Sequence, residues 1–380
     1  MPTPFSSCLS IGCCITPHGL GHAARACAVL DALADRIPVH YKIVSTAPAW
    51  FFAESLTASY DVHPLQTDVG LVQQDALHED LAQTVKHLHA FYPLRVKLLD
   101  QLATLFADCQ LVLCDIAPVG IAAAAQARKQ YGSQVRSVLV ENFTWNWIYQ
   151  PYQGSYPEFT EIIHDLEQLY SQADYHIQAE PVCAPHHADL VVRPIARACQ
   201  QTRPEVRTLL DLSEQEKVIL VTMGGIAGTE LPVRQLKACK DFCFILAGQT
   251  GQRGKGVANQ DNILFLPADS TIRHPDLIAA CDAVIGKIGY STLAEVYQAG
   301  IPFAYIGREW FRESQPLADF IAQEMPSLPL TEEAFQQQNL SDILTKLCQL
   351  PRHDQRHENG AAMVADFLEK LLLEKMTKQV

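Results

Sequence analysis

Residues 285–295 read IGKIGYSTLAE, and they join a short apolar run to a segment of helical period. The run at residues 283–285 predicts a strand, glycines then turn the chain, and a helix is predicted to begin at Ser291 or Thr292. The backbone N–H groups at a helix start favour anions, and Lys287 adds a positive charge beside them. The stretch therefore predicts a phosphate site at the carboxyl end of a strand.

Glu295 closes this stretch and has two interpretations. Thr292 and Glu295 stand at the spacing of a capping box, in which each side chain satisfies a backbone N–H group of the helix start. One turn into the helix, the carboxylate can equally accept hydrogen bonds from the hydroxyls of a ribose. The phosphate prediction does not depend on which of the two holds.

The rest of the chain alternates short apolar runs with segments of helical period. The strand-like runs are residues 10–15, 39–45, 111–114, 137–140, 218–222, 242–247, 263–266, 283–285 and 303–306. The helix-like segments are residues 23–34, 50–57, 120–129, 277–281, 292–298 and 317–323. Such alternation predicts parallel sheets that are covered by helices on both faces.

A break in the pattern separates two sets of strands and helices. Arg193-Pro194 interrupts regular structure, and a charged helix start follows at Pro204-Glu205. We therefore predict an N-terminal domain at residues 1–195 and a C-terminal domain at residues 196–380. The last helix, at about residues 358–375, is expected to pack back on the first domain.

Composition and charge limit the kinds of partner that the protein is expected to bind. The formal net charge of −13 argues against duplex nucleic acid or an anionic membrane, because both select basic surfaces. Of the 12 cysteines, several lie in apolar runs, and none belongs to a paired C-x-x-C array of the zinc type. The first apolar run is too short to cross a bilayer, and no basic leader precedes it. We predict a reduced, cytoplasmic protein without an integral membrane segment.

A glycine turn with two histidines follows the first predicted strand, where residues 16–22 read TPHGLGH. Gly19 and Gly21 allow the backbone to approach a ligand closely at the start of a helix. A histidine here can act as a general base near neutral pH, which makes His22 and, second, His18 candidate catalytic residues. The plain alternative is a tight strand–helix turn that happens to contain histidines.

The second set of strands opens with a glycine turn of its own, Gly224-Gly225, directly after residues 218–222. A pair of glycines after a strand is weak evidence alone. However, this pair follows the first strand of the second set, just as the glycine turn at residues 16–22 follows the first strand of the first set. We therefore expect the diphosphate of a ligand to bind there.

Polar and aromatic residues follow other predicted strands. After residues 303–306, Arg312 and Gln315 can bind sugar hydroxyls, or they belong to a plain surface loop. Residues 142–149, NFTWNWIY, suit either sugar stacking or a packed core. Three aspartates complete the candidates: Asp68, Asp75 and Asp115.

Three motifs are absent from the sequence: the D-x-D pair that often holds a divalent metal with a nucleotide diphosphate, the Walker sequence and the G-x-S-x-G nucleophile elbow. We therefore expect neither a metal nor another cofactor.

The order of the motifs resembles the GT-B glycosyltransferases, and within them the MurG-like group of UDP-sugar enzymes. Gly19-Leu20-Gly21-His22 looks like the N-terminal glycine loop of that group, and residues 286–295 look like its nucleotide-binding helix start. Gln315-Pro316-Leu317 is similar to its sugar-binding segment. The resemblance implies an α/β protein of two Rossmann-like, doubly wound domains that face a cleft.

A closer resemblance covers nearly the whole chain, to the glycosyltransferase-like N-terminal region of plant L-arabinokinases. It rests on HGLGH (18–22), DAL (75–77), DIAPV (115–119), NFTW (142–145), PDLIAA (275–280) and GKIGYSTLAE (286–295). L-arabinokinases carry a sugar-kinase domain of the GHMP type after this region, and residues 1–380 contain none. We therefore carry over the glycosyltransferase part alone and expect no sugar phosphorylation.

Together, the motifs and the resemblance predict a metal-independent, inverting glycosyltransferase whose donor is a nucleotide-sugar, UDP-linked by preference. His22, or alternatively His18, would remove the proton of the acceptor hydroxyl, and Asp115 is a third catalytic candidate. The predicted nucleotide-sugar site consists of Gly19, Gly21, Gly224, Gly225, Lys287, Gly289, Ser291, Thr292, Glu295, Arg312 and Gln315.

Two other functions fit the same sequence. A UDP-sugar 2-epimerase or hydrolase would keep the donor site and use carboxylates around the sugar ring, for which Asp68, Asp115 and Glu313 are available. A non-catalytic nucleotide-sugar-binding protein would need only the donor site. The acceptor, the donor sugar and base, the stereochemistry and the oligomeric state stay open.

Overall fold

The computed structural model describes residues 8–75, 77–224, 231–248, 258–267, 270–308, 310–337, 339–353 and 358–377. The chain divides into two compact units. The first contains Met1–Val72, Glu79–Ile195 and Glu358–Val380, and the second contains Gln73–His78 and Ala196–His357. This division moves a short early segment to the second unit, which the predicted boundary did not, and it assigns the C-terminal residues to the first unit, on which the last helix was expected to pack.

Among the described residues of the first unit, seven strands form one parallel sheet in the order β3-β2-β1-β4-β5-β6-β7. The strands are β1 (Leu9–Ile15), β2 (Val39–Val44), β3 (Ser59–His63), β4 (Leu111–Asp115), β5 (Arg136–Glu141), β6 (Tyr175–Ala179) and β7 (Leu190–Val192). The helices are α1 (Gly21–Ala34), α2 (Ala49–Ser55), α3 (Leu81–Phe91), α4 (Val96–Phe106), α5 (Pro118–Tyr131), α6 (Trp145–Tyr149) and α7 (Phe159–Tyr170).

The described part of the second unit also forms a sheet of seven strands, in the order β10-β11-β9-β8-β12-β13-β14, with β10 alone antiparallel to its neighbour. The strands are β8 (Val218–Thr222), β9 (Cys243–Leu246), β10 (Ala258–Gln260), β11 (Ile263–Phe265), β12 (Ala283–Lys287), β13 (Phe303–Ile306) and β14 (Ser327–Leu330). The helices are α8 (Arg203–Leu209), α9 (Val233–Ala238), α10 (His274–Ala280), α11 (Tyr290–Ala299), α12 (Ser314–Glu324), α13 (Glu332–Gln337) and α14 (Ser341–Gln349).

The central strand β8 shows why such strands read as continuous apolar runs. Its side chains alternate between two apolar clusters, Val218 and Leu220 in one and Ile219 and Val221 in the other. Because successive side chains of a strand point to opposite faces, both faces of this sheet are covered. Leu77, from the short early segment of the second unit, packs in the second of these clusters.

The last helix, α15 (Gly360–Thr377), belongs to the first unit and packs against α1. Arg36, just beyond α1, lies 3.1 Å from a carboxylate oxygen of Glu369. The start of α15 has room only for glycine, because a Cβ on Gly360 would lie 2.0 Å from the carbonyl oxygen of Arg193.

The two sheets with their interleaved helices confirm the predicted α/β, doubly wound class. All 12 cysteines are free thiols. In the described part of the chain, every helix is too short or too polar to cross a membrane.

Candidate functional site

Each sheet has one switch point, where neighbouring strands are far apart along the chain. In the first unit β1 lies beside β4, with Ile15 opposite Asp115, although β2 and β3 come between them in sequence. In the second unit β8 lies beside β12, although β9, β10 and β11 intervene. In open α/β sheets, ligands bind beyond the carboxyl ends of the strands at such a point. The predicted glycine turns, Asp115 and residues 286–295 all lie at these strand ends.

Asp115 at the end of β4 is held by two side chains of α1. Arg25 donates to both carboxylate oxygens, from Nε at 2.7 Å and from Nη2 at 2.7 Å. His22 approaches the same carboxylate, with Nδ1 2.9 Å from Oδ1. Because His22 and Arg25 are three residues apart, one face of the helix presents both. We call Arg25, Asp115 and His22 the Asp115 triad.

The Asp115 triad is buried, and its carboxylate is ionised. The exposed fraction of the side chain is 1% for Asp115 and Arg25 and 9% for His22. Burial acts to raise the pKa of Asp115, but the charge of Arg25 and the hydrogen bond with His22 outweigh burial and hold that pKa below its usual range. The negative charge favours the imidazole tautomer with its proton on Nδ1, which leaves the lone pair on Nε2. Nε2 of His22 has no hydrogen-bond partner among the described residues.

Aromatic rings surround the imidazole of His22. The ring of Phe143 meets it edge-on with the centroids 5.9 Å apart, and the ring of Trp145 lies at 6.2 Å. Phe143 and Trp145 are buried, with exposed fractions of 2% and 1%. These two rings therefore pack around the histidine, which corresponds to the packed-core interpretation of the aromatic segment rather than to sugar stacking.

Asp68 is a second buried carboxyl group next to Trp145. It accepts hydrogen bonds from Oγ1 of Thr16 at 2.5 Å and from Nε1 of Trp145 at 3.1 Å. Burial raises the pKa of Asp68 to about 7, although both hydrogen bonds oppose the shift. A carboxyl group that titrates near neutral pH can hold or release a proton at this place.

The N-terminal glycine turn has the conformation that its sequence predicts. Gly19 has a φ of +71°, in the left-handed region that favours glycine, and Gly21 is the first residue of α1. The ring centroid of His18 lies 5.2 Å from that of Trp145 and 6.5 Å from that of His22. The turn thus brings both predicted histidines close to each other. His22 lies beside the carboxylate of Asp115, and His18 lies beside the ring of Trp145.

In the second unit, Lys287 at the end of β12 reaches the glycine turn after β8. A Cβ built on Gly224 would lie 3.6 Å from Nζ of Lys287. Strands β8 and β12 can approach this closely because residue 286 is a glycine. A Cβ on Gly286 would lie 2.4 Å from the carbonyl oxygen of Thr222. Gly225, the other predicted member of this turn, lies outside the described residues.

Helix α11 begins at Tyr290, one residue before the predicted start. Its N-cap is Gly289, and none of the described side chains caps it. The first N–H groups of the helix, including those of Ser291 and Thr292, therefore lack intrahelical partners. The structure contradicts the capping-box interpretation of Glu295, because α11 begins too early for that motif.

Glu295 instead forms a second triad with Arg197 and His274, which we call the Glu295 triad; the arginine and the carboxylate are buried, and the histidine is 23% exposed. Nε of Arg197 lies 2.9 Å from Oε1, and Nδ1 of His274 lies 2.6 Å from Oε2. Burial alone would raise the pKa of Glu295, but Arg197 and His274 lower it to about 2. Nε2 of His274 lies 3.3 Å from Oγ1 of Thr222. Both carboxylate oxygens are engaged, so a ribose would have to share them.

The remaining candidates lie on surface segments. Gln315 is exposed at the start of α12, where its Nε2 donates to Oδ1 of Asp319 at 2.7 Å, and Arg312 is half-buried just before that helix. Their sugar-binding role stays a prediction. Asp75 accepts the backbone N–H of Leu77 at 2.7 Å and so stabilises a turn.

Sequence reasoning missed three members of the triads: Arg25, Arg197 and His274. Arg25 carried a signal, because it is the charged residue of AARACAVL, residues 23–30, and a charge on an apolar helix must be paired when it is buried. Arg197 and His274 lie in segments without a periodic pattern, and the folded second unit brings them to Glu295.

Comparison with known proteins finds one related sequence. No family model matches the chain. L-arabinokinase of Arabidopsis thaliana is 29% identical over 323 residues. The match spans 81% of this chain and 29% of the length of that protein. The activity of the whole relative therefore does not transfer to this chain.

Solved structures that resemble the chain are glycosyltransferases. A UDP-glucosyltransferase from Polygonum tinctorium superimposes with a TM-score of 0.59 at 13% identity, over 96% of this chain and 93% of that one. The calicheamicin glycosyltransferase CalG4 gives 0.56 at 15% identity, over 97% and 94%. UGT89C1 of Arabidopsis thaliana, solved with UDP, gives 0.56 at 11% identity, over 96% and 95%. The chain therefore has the GT-B fold, as its resemblance to the glycosyltransferases predicted.

Proposed function

We propose that the chain is a glycosyltransferase that moves a sugar from a nucleotide-sugar to an acceptor hydroxyl, with His22 as the general base. One observation carries the proposal. The Asp115 triad lies at the switch point of the first sheet and orients His22 so that Nε2 is left without a partner among the described residues. The GT-B fold supports the same reaction class.

In the proposed reaction, Nε2 of His22 takes the proton of the acceptor hydroxyl. The acceptor oxygen then forms a bond to the anomeric carbon, and the bond from that carbon to the diphosphate breaks with inversion. Asp115 holds the Nδ1 proton and stabilises the imidazolium. Arg25 is a positioning residue, because it keeps Asp115 ionised and fixed. A base of this kind contributes about 10²–10⁴-fold to the rate.

The second unit is the proposed donor site, with UDP as the preferred nucleotide. The diphosphate would bind Gly224, Lys287 and the free N–H groups at Ser291 and Thr292. Lys287 and the dipole of α11 would offset the charge on the leaving diphosphate, so the reaction would need no metal ion. Ribose and sugar contacts are assigned to Glu295, Arg312 and Gln315. The short approach of Lys287 to Gly224 supports this arrangement.

A UDP-sugar epimerase or hydrolase is less well supported. That reaction would use carboxylates against the sugar ring. Arg25 already binds both oxygens of Asp115, so this carboxylate serves His22 better than it serves a sugar.

Donor binding can be tested by thermal shift with UDP, UDP-sugars and the sugars of other nucleoside diphosphates. We expect stabilisation by the UDP compounds and its loss in Lys287→Ala. Lys240→Ala, which removes an exposed lysine elsewhere in the second unit, is the matched control. No stabilisation by any nucleotide-sugar would refute the proposal.

Turnover can be tested by measuring UDP release with a mixture of hydroxyl-bearing acceptors and by detecting glycosylated products in a mass spectrometer. We expect His22→Ala to lower product formation by about 10²–10⁴-fold while it leaves UDP binding unchanged. His164→Ala, an exposed histidine of α7, is the control. An epimer or free sugar formed without any acceptor would instead favour the epimerase or hydrolase.

A further inference from the structure

Three metal-binding side chains converge in the first unit, apart from the Asp115 triad. Glu141 is the last residue of β5, His176 lies on β6, and His186 follows in the segment after β6. The register pairs Leu139 with His176 and Glu141 with Gln178. Because alternate residues of a strand share a face, Glu141, His176 and Gln178 project from the same face of the sheet.

Both histidines direct Nε2 at one oxygen of Glu141. The distance to Oε1 is 2.9 Å from His176 and 3.4 Å from His186. The two imidazole rings lie with their centroids 4.4 Å apart. Among the described residues, this is the one group of three histidine, cysteine or acidic side chains whose donor atoms all lie within 4.8 Å of one another.

A backbone carbonyl next to His186 determines which of its ring nitrogens is left for a ligand. Nδ1 of His186 lies 3.1 Å from the carbonyl oxygen of His187, an atom that only accepts, so Nδ1 carries a proton. Nε2 faces a carboxylate, which also only accepts when it is ionised. When Nδ1 donates to that carbonyl, Nε2 is the ring nitrogen that faces Oε1 of Glu141 and is placed to bind a cation together with it.

We propose that Glu141, His176 and His186 form a site for a divalent transition-metal ion of the zinc class, with water as the fourth ligand. Two histidines and one glutamate are a known zinc ligand set. With metal–ligand bonds of about 2.0–2.2 Å, tetrahedral geometry separates the ligand atoms by about 3.3–3.5 Å. The two separations between Oε1 of Glu141 and the histidine Nε2 atoms, 2.9 Å and 3.4 Å, are close to these values.

The neighbours of the three ligands are those of a metal site. Nε2 of Gln178 donates to Oε1 of Glu141 at 2.8 Å and to the carbonyl oxygen of Ala184 at 3.1 Å, which fixes the carboxylate and the segment that carries His186. The Nδ1–H of His186 donates to a carbonyl, which is the usual way to direct Nε2 at a metal. Glu141 is buried, with an exposed side-chain fraction of 1%.

The ion would tie the segment after β6 to the sheet. Within that segment, the N–H group of Cys183 donates to the carbonyl oxygen of Asn142 at 2.8 Å. Asn142 in turn accepts from Nη1 of Arg25 at 2.6 Å. The ion would therefore stabilise the structure of this segment, and the metal proposal does not depend on the proposed transfer reaction.

The test is a titration of the full, chelator-treated chain with Co²⁺, followed by visible absorption, and then competition with Zn²⁺. We expect one tight equivalent with nitrogen and oxygen ligation and without the charge-transfer absorption of cobalt thiolates. His186→Ala and His176→Ala should each weaken binding by more than about 100-fold, because losing even a neighbour of a ligand costs about 10–100-fold. His187→Ala, which removes the adjacent imidazole and keeps the carbonyl, should bind like the wild type.

Thermal unfolding provides the second readout. Zn²⁺ should raise the melting temperature of the wild type and of His187→Ala, and leave that of His186→Ala unchanged. His186 is 42% exposed, so its removal should not prevent folding. Unaltered binding in His186→Ala, or no binding to the wild type, would overturn the proposal and assign His186 as a protonated partner of Glu141.

Discussion

The Asp115 triad of the first unit and the Glu295 triad of the second contain the same chemical groups. In both, a buried arginine and Nδ1 of a histidine hold one buried carboxylate. In both, the pKa of that carboxyl group is lowered against the effect of burial. Composition alone would therefore assign the two triads the same role.

The second nitrogen of the histidine separates the two triads. Nε2 of His274 lies 3.3 Å from the hydroxyl of Thr222, whereas Nε2 of His22 has no partner among the described residues. The rings of Phe143 and Trp145 pack beside His22. The two triads thus differ in the second histidine nitrogen, and the proposed role of His22 as a base rests on that difference.

The largest expected difference between the triads is in turnover. His22→Ala should lower the rate of UDP release by about 10²–10⁴-fold, because it removes the proposed base. His274→Ala should keep kcat within about tenfold and act mainly on the KM for the donor. Initial rates at saturating donor provide the measurement. Equal losses of kcat in both variants would break the comparison.

Loss of the arginine should lower the free energy of unfolding by a similar amount in the two triads. Arg25→Met and Arg197→Met should each cost about 3–5 kcal/mol, because each leaves a buried carboxylate without its cation. The double variant Arg197→Met/Glu295→Leu should recover part of this loss, since no unpaired charge remains. Urea unfolding checks both statements. A double variant no more stable than Arg197→Met would contradict the ion-pair explanation.

The buried carboxyl groups should respond to pH in opposite directions. The pKa of Glu295 is lowered from its ordinary value of 4.5 to about 2. This shift adds about 3 kcal/mol to the free energy of unfolding above pH 4.5, and the contribution is lost as the pH falls towards 2. The pKa of Asp68 is raised from its ordinary value of 3.8 to about 7. This shift adds about 4 kcal/mol to the free energy of unfolding below pH 3.8, and the contribution is lost as the pH rises through 7.

Paired variants separate these two effects. Asp68→Asn should remove the fall in the free energy of unfolding between pH 4 and 7, and Glu295→Gln should remove part of the loss below pH 4.5. Chemical unfolding at a series of pH values measures both slopes. A wild-type slope in Asp68→Asn would show that the Asp68 carboxyl is ionised throughout.

The smallest expected effect concerns the contact between His274 and the hydroxyl of Thr222, which the Asp115 triad lacks among the described residues. Thr222→Val keeps the shape of the side chain and removes the hydroxyl next to His274. It should cost about 1 kcal/mol of unfolding free energy, the usual contribution of one hydrogen bond. Urea unfolding measures it, with Thr271→Val, an exposed threonine of the second unit, as control. A stability loss as large as that of Arg197→Met would mean that Thr222 has another role.

The central strands could be predicted because their patterns are local. Residues 218–222 and 303–306 read as apolar runs and are β8 and β13. The edge strand β3, with the sequence SYDVH, was missed because its residues are exposed or half-buried and it has no apolar run. The glycine turns and residues 286–295 were found because glycines, hydroxyls and a lysine after a strand form a local signature.

The sequence by itself determined the order of strands and helices, the glycine turns at the strand ends and the histidines near them. These features depend on residues that are neighbours in the chain, so periodicity and composition reveal them. The tertiary structure decided that His22 meets Asp115, 93 residues away, and that Glu295 meets Arg197, 98 residues away. Such pairs depend on which strands are neighbours in the sheet, and burial strengthens the charge interactions that hold one nitrogen of each histidine.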